Sequence, residues 1–241
     1  MKKFLGILVL LIIVAAGVCA YLFPGTPYYY KCTHELELTE NIWEGTPTDI
    51  KPLPEDYKNY DGFGVRITAW EDMKLRPTGD EKSSVWSNED NSHLICITQE
   101  RISENEDFLD MTGINHDDLN AYCMDTEKTT PENKYEFVKL MASLTMDDFD
   151  IHNYKNSKTF YKIMKKKNED FCDDAGKPLR LCPVDGVGFR GFLMTAKSPD
   201  KNAHAVINIY PEKDKRTRYI IDLSVTSPDD VIAVAESIKL T

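Results

Sequence analysis

Histidine is scarce in this sequence: five residues in 241, and none stands three or four positions from another. H-E-x-x-H is missing, so the common helical zinc site is excluded. No C-x-x-C occurs, which removes both the zinc ribbon and the thioredoxin-type redox pair. G-x-S-x-G, the Walker loop and the Rossmann glycine pattern are missing as well. A basic excess is also lacking. Lys2 and Lys3 are the only charges in residues 1–23, and the other 27 basic residues face 40 acidic ones. Such an acidic body repels phosphate backbones, so nucleic acid is not an expected partner. After the first 25 residues no long apolar run recurs.

That first run is the most informative stretch of the chain. MKKFLGILVLLIIVAAGVCAYLFPG places two lysines before twenty uncharged residues, Phe4–Phe23. As a helix these span about 30 Å, the thickness of a bilayer core. The lysines favour a cytoplasmic N-terminus, with the body on the far side. The segment reads as a retained signal-anchor. The alternatives are a leader cleaved after Ala20, at Val18-Cys19-Ala20, and lipid attachment at Cys19. All three put the body outside the cytoplasm, periplasmic or extracellular, where thiols tend to pair.

The body holds five cysteines: Cys32, Cys96, Cys123, Cys172 and Cys182. Cys172 and Cys182 bracket CDDAGKPLRLC, a turn-forming stretch, and are the expected disulfide. A loop of that size contributes about 2–3 kcal/mol in the chain-entropy model. An odd count leaves at least one thiol free or bonded to another chain.

Three regions follow in order: 1–25 as anchor or signal peptide, 26–61 as a tether, and 62–241 as a single globular domain. Within the tether, Tyr28–Thr39 alternates, with Tyr30, Cys32, His34, Leu36 and Leu38 on one side, and reads as a strand. Gly62–Trp70, Ser83–Ser87 and His93–Glu100 read as strands. Thr130-Pro131-Glu132 opens a helix carrying Phe137, Val138, Met141 and Leu144 at helical spacing. Ser157 caps another, with Phe160, Ile163, Met164 and Phe171 along one side. Val187–Lys197, His204–Tyr210 and Arg218–Thr226 form an antiparallel meander. Ser227 and Pro228 start a last helix, with Val231, Val234, Ala235 and Ile238 as its apolar stripe. The fold class expected is α+β: an antiparallel sheet covered by helices, preceded by one N-terminal hydrophobic helix.

This order, with GFGVRITAWEDMKL early and ESIKL at the close, resembles the PsbP-like α/β/α sandwiches. Their early stretch runs F-x-I-x-x-P-x-x-W; Ala69 stands here where proline is usual. The resemblance covers Gly62–Thr241. It implies the sandwich fold, and a role in assembly or binding more than catalysis.

The chemistry-bearing residues are few. His34, His93 and His204 all fall in expected strands, with surface or packing roles the simpler reading. GVGFRG, Gly186–Gly191, lies inside a strand and marks a bulge or close backbone approach. Asp117-Asp118, Asp147-Asp148, Asp173-Asp174 and Asp229-Asp230 stand where helices start or turns are expected. No catalytic residue, metal ligand or cofactor site is assigned, and no cofactor is expected. Lys165, Lys166 and Lys167 form the only basic run, a solvated helix face or a contact for an acidic partner. Trp70 and Trp86 belong in the core, and Trp43 is the better candidate for an exposed aromatic contact. The expected function is a membrane-anchored, non-catalytic extracytoplasmic domain that binds an envelope protein or assists assembly. The alternatives are an immunity-type inhibitor of a toxin, or a hydrolase with scattered residues.

Overall fold

The structure is a computed structural model, which describes residues 2–45, 52–103, 106–172, 176–196, 203–225 and 228–241. It has two compact units. One takes Met1–Asn41 and Asp107–Asp170, the other Ile42–Glu106 and Phe171–Thr241. The central helices fall in the same unit as the N-terminal segment.

The second unit is built on strands. A seven-stranded sheet runs β3 (Lys74–Arg76), β4 (Ser83–Ser87), β5 (Leu94–Arg101), β9 (Thr217–Val225), β8 (Ala203–Pro211), β7 (Phe189–Ala196) and β6 (Leu179–Pro183). Every neighbouring pair is antiparallel. Register explains the core. Ile97 faces Ile221, Ile221 faces Ile207, Ile207 faces Leu193 and Leu193 faces Cys182, one apolar row across five strands. A slip of one residue in any strand would turn its row away from the core.

A second, small sheet has the order β1 (Lys58–Gly62), β2 (Val65–Ala69), β10 (Lys239–Leu240). β1 and β2 are joined by Phe63 at φ 55° and Gly64 at φ 83°. Two central residues in the left-handed region make the tight hairpin turn that matches strand twist. Along β2, Val65, Ile67 and Ala69 are buried while Arg66 and Thr68 are not. The last long element is α6 (Pro228–Glu236), whose Val231, Val234 and Ala235 enter the same core as Ile67, Ile207 and Ile221. Trp70 and Trp86 are in this core, as expected.

Two sequence expectations are corrected here. Residues 58–61, read as tether, belong to the strand Lys58–Gly62. Leu179–Pro183, read as part of a disulfide loop, is a strand too. Cys172 and Cys182 are not joined to each other in this structure. Cys172 makes a backbone bridge to Pro178, and the Cys182 thiol donates to a carboxylate oxygen of Glu44 at 3.6 Å. The glycine-rich stretch is also not all strand. Gly186 and Phe189 close a tight turn through Gly188 at φ 82°, and only Gly191 is in β7. A Cβ on Gly191 would stand 2.5 Å from the Asn208 carbonyl oxygen, so the close-approach reading holds there.

The first unit is helical: α1 (Lys2–Leu22), α2 (Thr26–Glu35), α3 (His116–Asp125), α4 (Lys134–Ser143), a 3-10 turn (Met146–Asp148) and α5 (Tyr154–Phe171). The strand expected over Tyr28–Thr39 is therefore helical through Glu35. Pro27 lies in its first turn, where a missing N–H costs nothing. Asparagines set two starts that the sequence reading placed elsewhere. Asn133, not Thr130, caps α4 by accepting from the Glu136 amide at 3.0 Å. Asn153 accepts from the Asn156 amide at 3.1 Å, and Ser157 lies buried inside α5. Asp117-Asp118 and Asp147-Asp148 do occupy first turns. Asp173-Asp174 and Ser227 lie outside the described residues.

Among the described residues no single helix is long and apolar enough to cross a membrane. Ile7–Leu22 and Thr26–Glu35 meet that test together, bent by 79°. Every residue from Ile7 to Phe23 is exposed.

Candidate functional site

The chemistry of the first unit concentrates at the elbow between α1 and α2, Phe23-Pro24-Gly25. Gly25 is buried, and its amide donates to the Ile151 carbonyl at 2.8 Å. A Cβ there would stand 2.0 Å from Ser157 Oγ and 2.8 Å from Ile151 O. The Ser157 hydroxyl is committed to the Asp150 carbonyl at 2.6 Å. Thr26 Oγ1 donates to Phe23 O at 2.7 Å. The last carbonyl of α1, on Leu22, accepts from His152 Nδ1 at 2.9 Å, and that imidazole lies 5.1 Å from the Phe23 ring. The bond fixes the proton on Nδ1.

Rings carry the contact onward. Tyr28 packs on Tyr154 at 5.4 Å and Tyr161 at 5.8 Å, and Tyr29 on Phe149 at 5.6 Å. Phe149 in turn meets Phe160, edge to face, at 5.3 Å. The Lys31 ammonium lies over the Tyr28 and Tyr161 rings. Tyr161 donates its hydroxyl to Glu35 at 2.7 Å, and that bond to a carboxylate holds its pKa up at about 12. The Tyr154 hydroxyl does the same for Tyr28, also to about 12.

The chain leaving α2 is held as firmly. Asn168 Oδ1 accepts from the amides of Glu37 and Leu38, both at 2.8 Å, and Nδ2 returns a bond to Leu38 O at 3.1 Å. One turn of α5 supplies the next clamp. Lys167 is fully buried and donates to the carbonyls of Glu40 and Leu144, the latter at 2.7 Å. This corrects the reading of the lysine run as one solvated face. Lys165 is exposed and pairs with Glu169 at 3.7 Å; Lys166 is mostly covered and pairs with Asp170. Of the three, Lys165 is the one that is solvent-exposed. Burial lowers the Lys167 pKa to about 8, against the opposing pull of Glu40 and Asp148.

In the second unit, Trp43 is half-buried and bridges Leu181 in parallel along the edge of β6. An open hollow of about 540 Å³ lies by the β4–β5 turn, lined by Asp72, Lys74, Asn88, Glu89 and Asp90. Its acids serve the turn. Asp90 accepts from the Ser92 amide and hydroxyl at 3.0 and 2.8 Å, which holds its pKa down. Asn88 ties Asp72 to Ser92. Among the described residues no three His, Cys, Asp or Glu groups come together as a metal site would need.

The histidines expected in strands do not converge. His34 is in α2, stacked on Tyr30 at 3.9 Å. His93 stacks on Trp70 at 4.5 Å, and His204 lies 3.9 Å from Asp222. The buried thiols are inert: burial pushes Cys32 up to about 12 and Cys182 up to about 11, so neither holds a useful thiolate fraction at neutral pH. Sequence reading missed Gly25, His152 and Asn168, and took Ser157 for a helix cap. For Gly25 the signal was its place two residues before Pro27, where a helix begins.

No protein-family model matches the sequence, and no curated protein matches it. Among solved structures, the chain is similar to the solution structure of cyanobacterial PsbP (CyanoP) from Synechocystis sp. PCC 6803. The identity is 7%, the TM-score is 0.38, and the match covers 81% of this chain and 98% of that one.

Proposed function

We propose that the protein is a membrane-anchored, non-catalytic extracytoplasmic domain that binds a protein partner in the envelope. The observation that carries this is the α1 surface. Ile7, Leu10, Leu11, Ile12 and Ile13 are each 59% exposed or more, and they point in all directions around the helix. Leaving a large apolar side chain in water costs about 1.5–3 kcal/mol, so such a helix needs an apolar solvent. In sequence, the uncharged stretch Phe4–Phe23 matches a bilayer core at about 1.5 Å per residue, although Ile7–Leu22 meets the test for a membrane span only together with α2. Lys2 and Lys3 favour the cytoplasmic side for the start of α1. The docked elbow then ties α1 to the body without a flexible leash. On this reading Lys165, on the helical unit, and Trp43, on the strand-built unit, are each a candidate contact for a partner.

The test is fractionation of native membranes. Full-length protein is expected to stay in the pellet after an alkaline carbonate wash, with its N-terminus intact. A form lacking Lys2–Leu22 is expected in the supernatant. A C-terminal tag should be digested by protease added outside sealed spheroplasts. Full-length protein released by carbonate, or trimmed after Ala20, would overturn the anchor.

A further inference from the structure

We infer that α2 lies flat in the headgroup layer of the membrane, as an interfacial helix set by the elbow, with Tyr21, Phe23 and Tyr30 at that depth. The inference rests on the anchor proposed above and adds where the next element sits. Its first support is the angle. With α1 and α2 at 79°, an α1 along the bilayer normal leaves α2 nearly in the membrane plane. Ten residues make a helix about 15 Å long, so its far end lies only about 3 Å deeper or shallower than its start. A common α1 tilt of ~20° raises this to about 8 Å. The interfacial layer on each side is itself about 5–8 Å thick.

The second support is that the angle is fixed. Gly25 N–H to Ile151 O, His152 to Leu22 O, and the Tyr28 and Tyr29 ring contacts hold both sides of the bend on one unit. The third is chemistry. Tyr21, 84% exposed, and Phe23, 37% exposed, stand at the C-terminal end of the apolar helix α1, and Tyr30, 59% exposed, is on α2. Tyrosine is enriched at that depth because its ring prefers the apolar side and its hydroxyl the wet side. The fourth is charge. A chain with 40 acidic residues has none from Phe4 to His34, and within α2 Lys31 and His34 are followed by one acid, Glu35, which accepts from the Tyr161 hydroxyl at 2.7 Å.

The experiment replaces Tyr21 or Tyr30 of the full-length protein with the photo-crosslinker p-benzoylphenylalanine. Each variant is reconstituted in vesicles of phosphatidylethanolamine and phosphatidylglycerol, irradiated, and read by mass spectrometry for lipid adducts. Both sites are exposed, and helical circular dichroism checks that each variant is folded. The expected result is lipid adducts at both positions, with yields within about threefold of each other. Adducts at position 21 and a yield at position 30 lower by tenfold or more would overturn the interfacial placement and leave the anchor standing. Adducts at neither position would overturn both. Crosslinks from position 30 to a second copy of the chain, in place of lipid, would also overturn it.

Discussion

Replacing Lys167 with alanine is expected to destabilise the helical unit by about 3–5 kcal/mol, and replacing it with methionine by only about 1–3 kcal/mol. Alanine removes a buried stem, opens a cavity, and takes the donor from the Leu144 and Glu40 carbonyls. Methionine keeps the volume, loses the bonds, and also removes the cost of burying an ammonium. The two units report separately. All three tryptophans, Trp43, Trp70 and Trp86, are in the strand-built unit, whereas among the described residues five of six α-helices are in the other. Loss of helical circular dichroism should therefore shift well before loss of native tryptophan emission. Equal shifts in both signals would show that Lys167 is not a local clamp. The pH dependence has a definite sign. The folded-state pKa, about 8, lies below the unfolded value of 10.5. Above pH 8 the folded chain sheds this proton first, so Lys167 adds stability as pH rises from about 8 to 10.5. Cys32 and Cys182 act oppositely past pH 9, because the unfolded thiols ionise first. The difference between the native protein and Lys167→Met cancels the thiols, and this gap should widen from pH 7 to pH 9. A gap that shrinks would contradict a depressed pKa.

The buried lysine was legible in principle. Residues in a helix are 100° apart, so three consecutive lysines fan over a wide arc and cannot share one face. Lys167 stands four residues after Ile163, three after Met164 and four before Phe171, within the stripe that the sequence reading itself marked as apolar. A cation in such a stripe reaches out of it or finds carbonyls inside, and here it finds two. What the sequence lacked was the position of those carbonyls, on Glu40 and Leu144, which come from segments far along the chain.

Elsewhere legibility followed the strength of local rules. Ser83–Ser87 was read to the residue, and the last three long strands within two residues at each end, because apolar alternation there is bounded by polar turns. KNYDG is a polar strand that owes its form to pairing with Val65–Ala69, so its own residues announce nothing. Tyr28–Thr39 was misread because Tyr30, Cys32, His34, Leu36 and Leu38 satisfy a period of two. The same stretch puts Tyr28 and Cys32 four apart, and both turn inward in the helix. Gly25 and Pro27 were the better guide, since a proline two residues past a glycine suits a helix start and interrupts a sheet ladder.

That glycine also carries the second large effect. Gly25→Ala is expected to cost about 3 kcal/mol and to loosen the elbow. Backbone strain is not the reason: at φ −79° and ψ −8° alanine is at ease, although at an N-cap glycine is ordinarily preferred to it. The larger cost is one of space. The added Cβ meets Ser157 Oγ at 2.0 Å, and the Ile151 carbonyl oxygen at 2.8 Å cannot rotate away. Either Ser157 abandons its bond to Asp150 O, or the elbow lifts and the Gly25–Ile151 hydrogen bond breaks. Two measurements separate the outcomes. In vesicles, chymotrypsin should cut the variant at Tyr28–Tyr30 far faster than the native chain, because a lifted elbow frees that segment. In a double variant, Ser157→Ala removes the nearest atom, so the combined cost should fall short of the sum of the single costs by about 1 kcal/mol or more. Full additivity would mean the two side chains do not meet. Unchanged proteolysis with unchanged stability would mean the elbow is not seated on residues 149–157, and the fixed angle on which α2's placement depends would be lost with it.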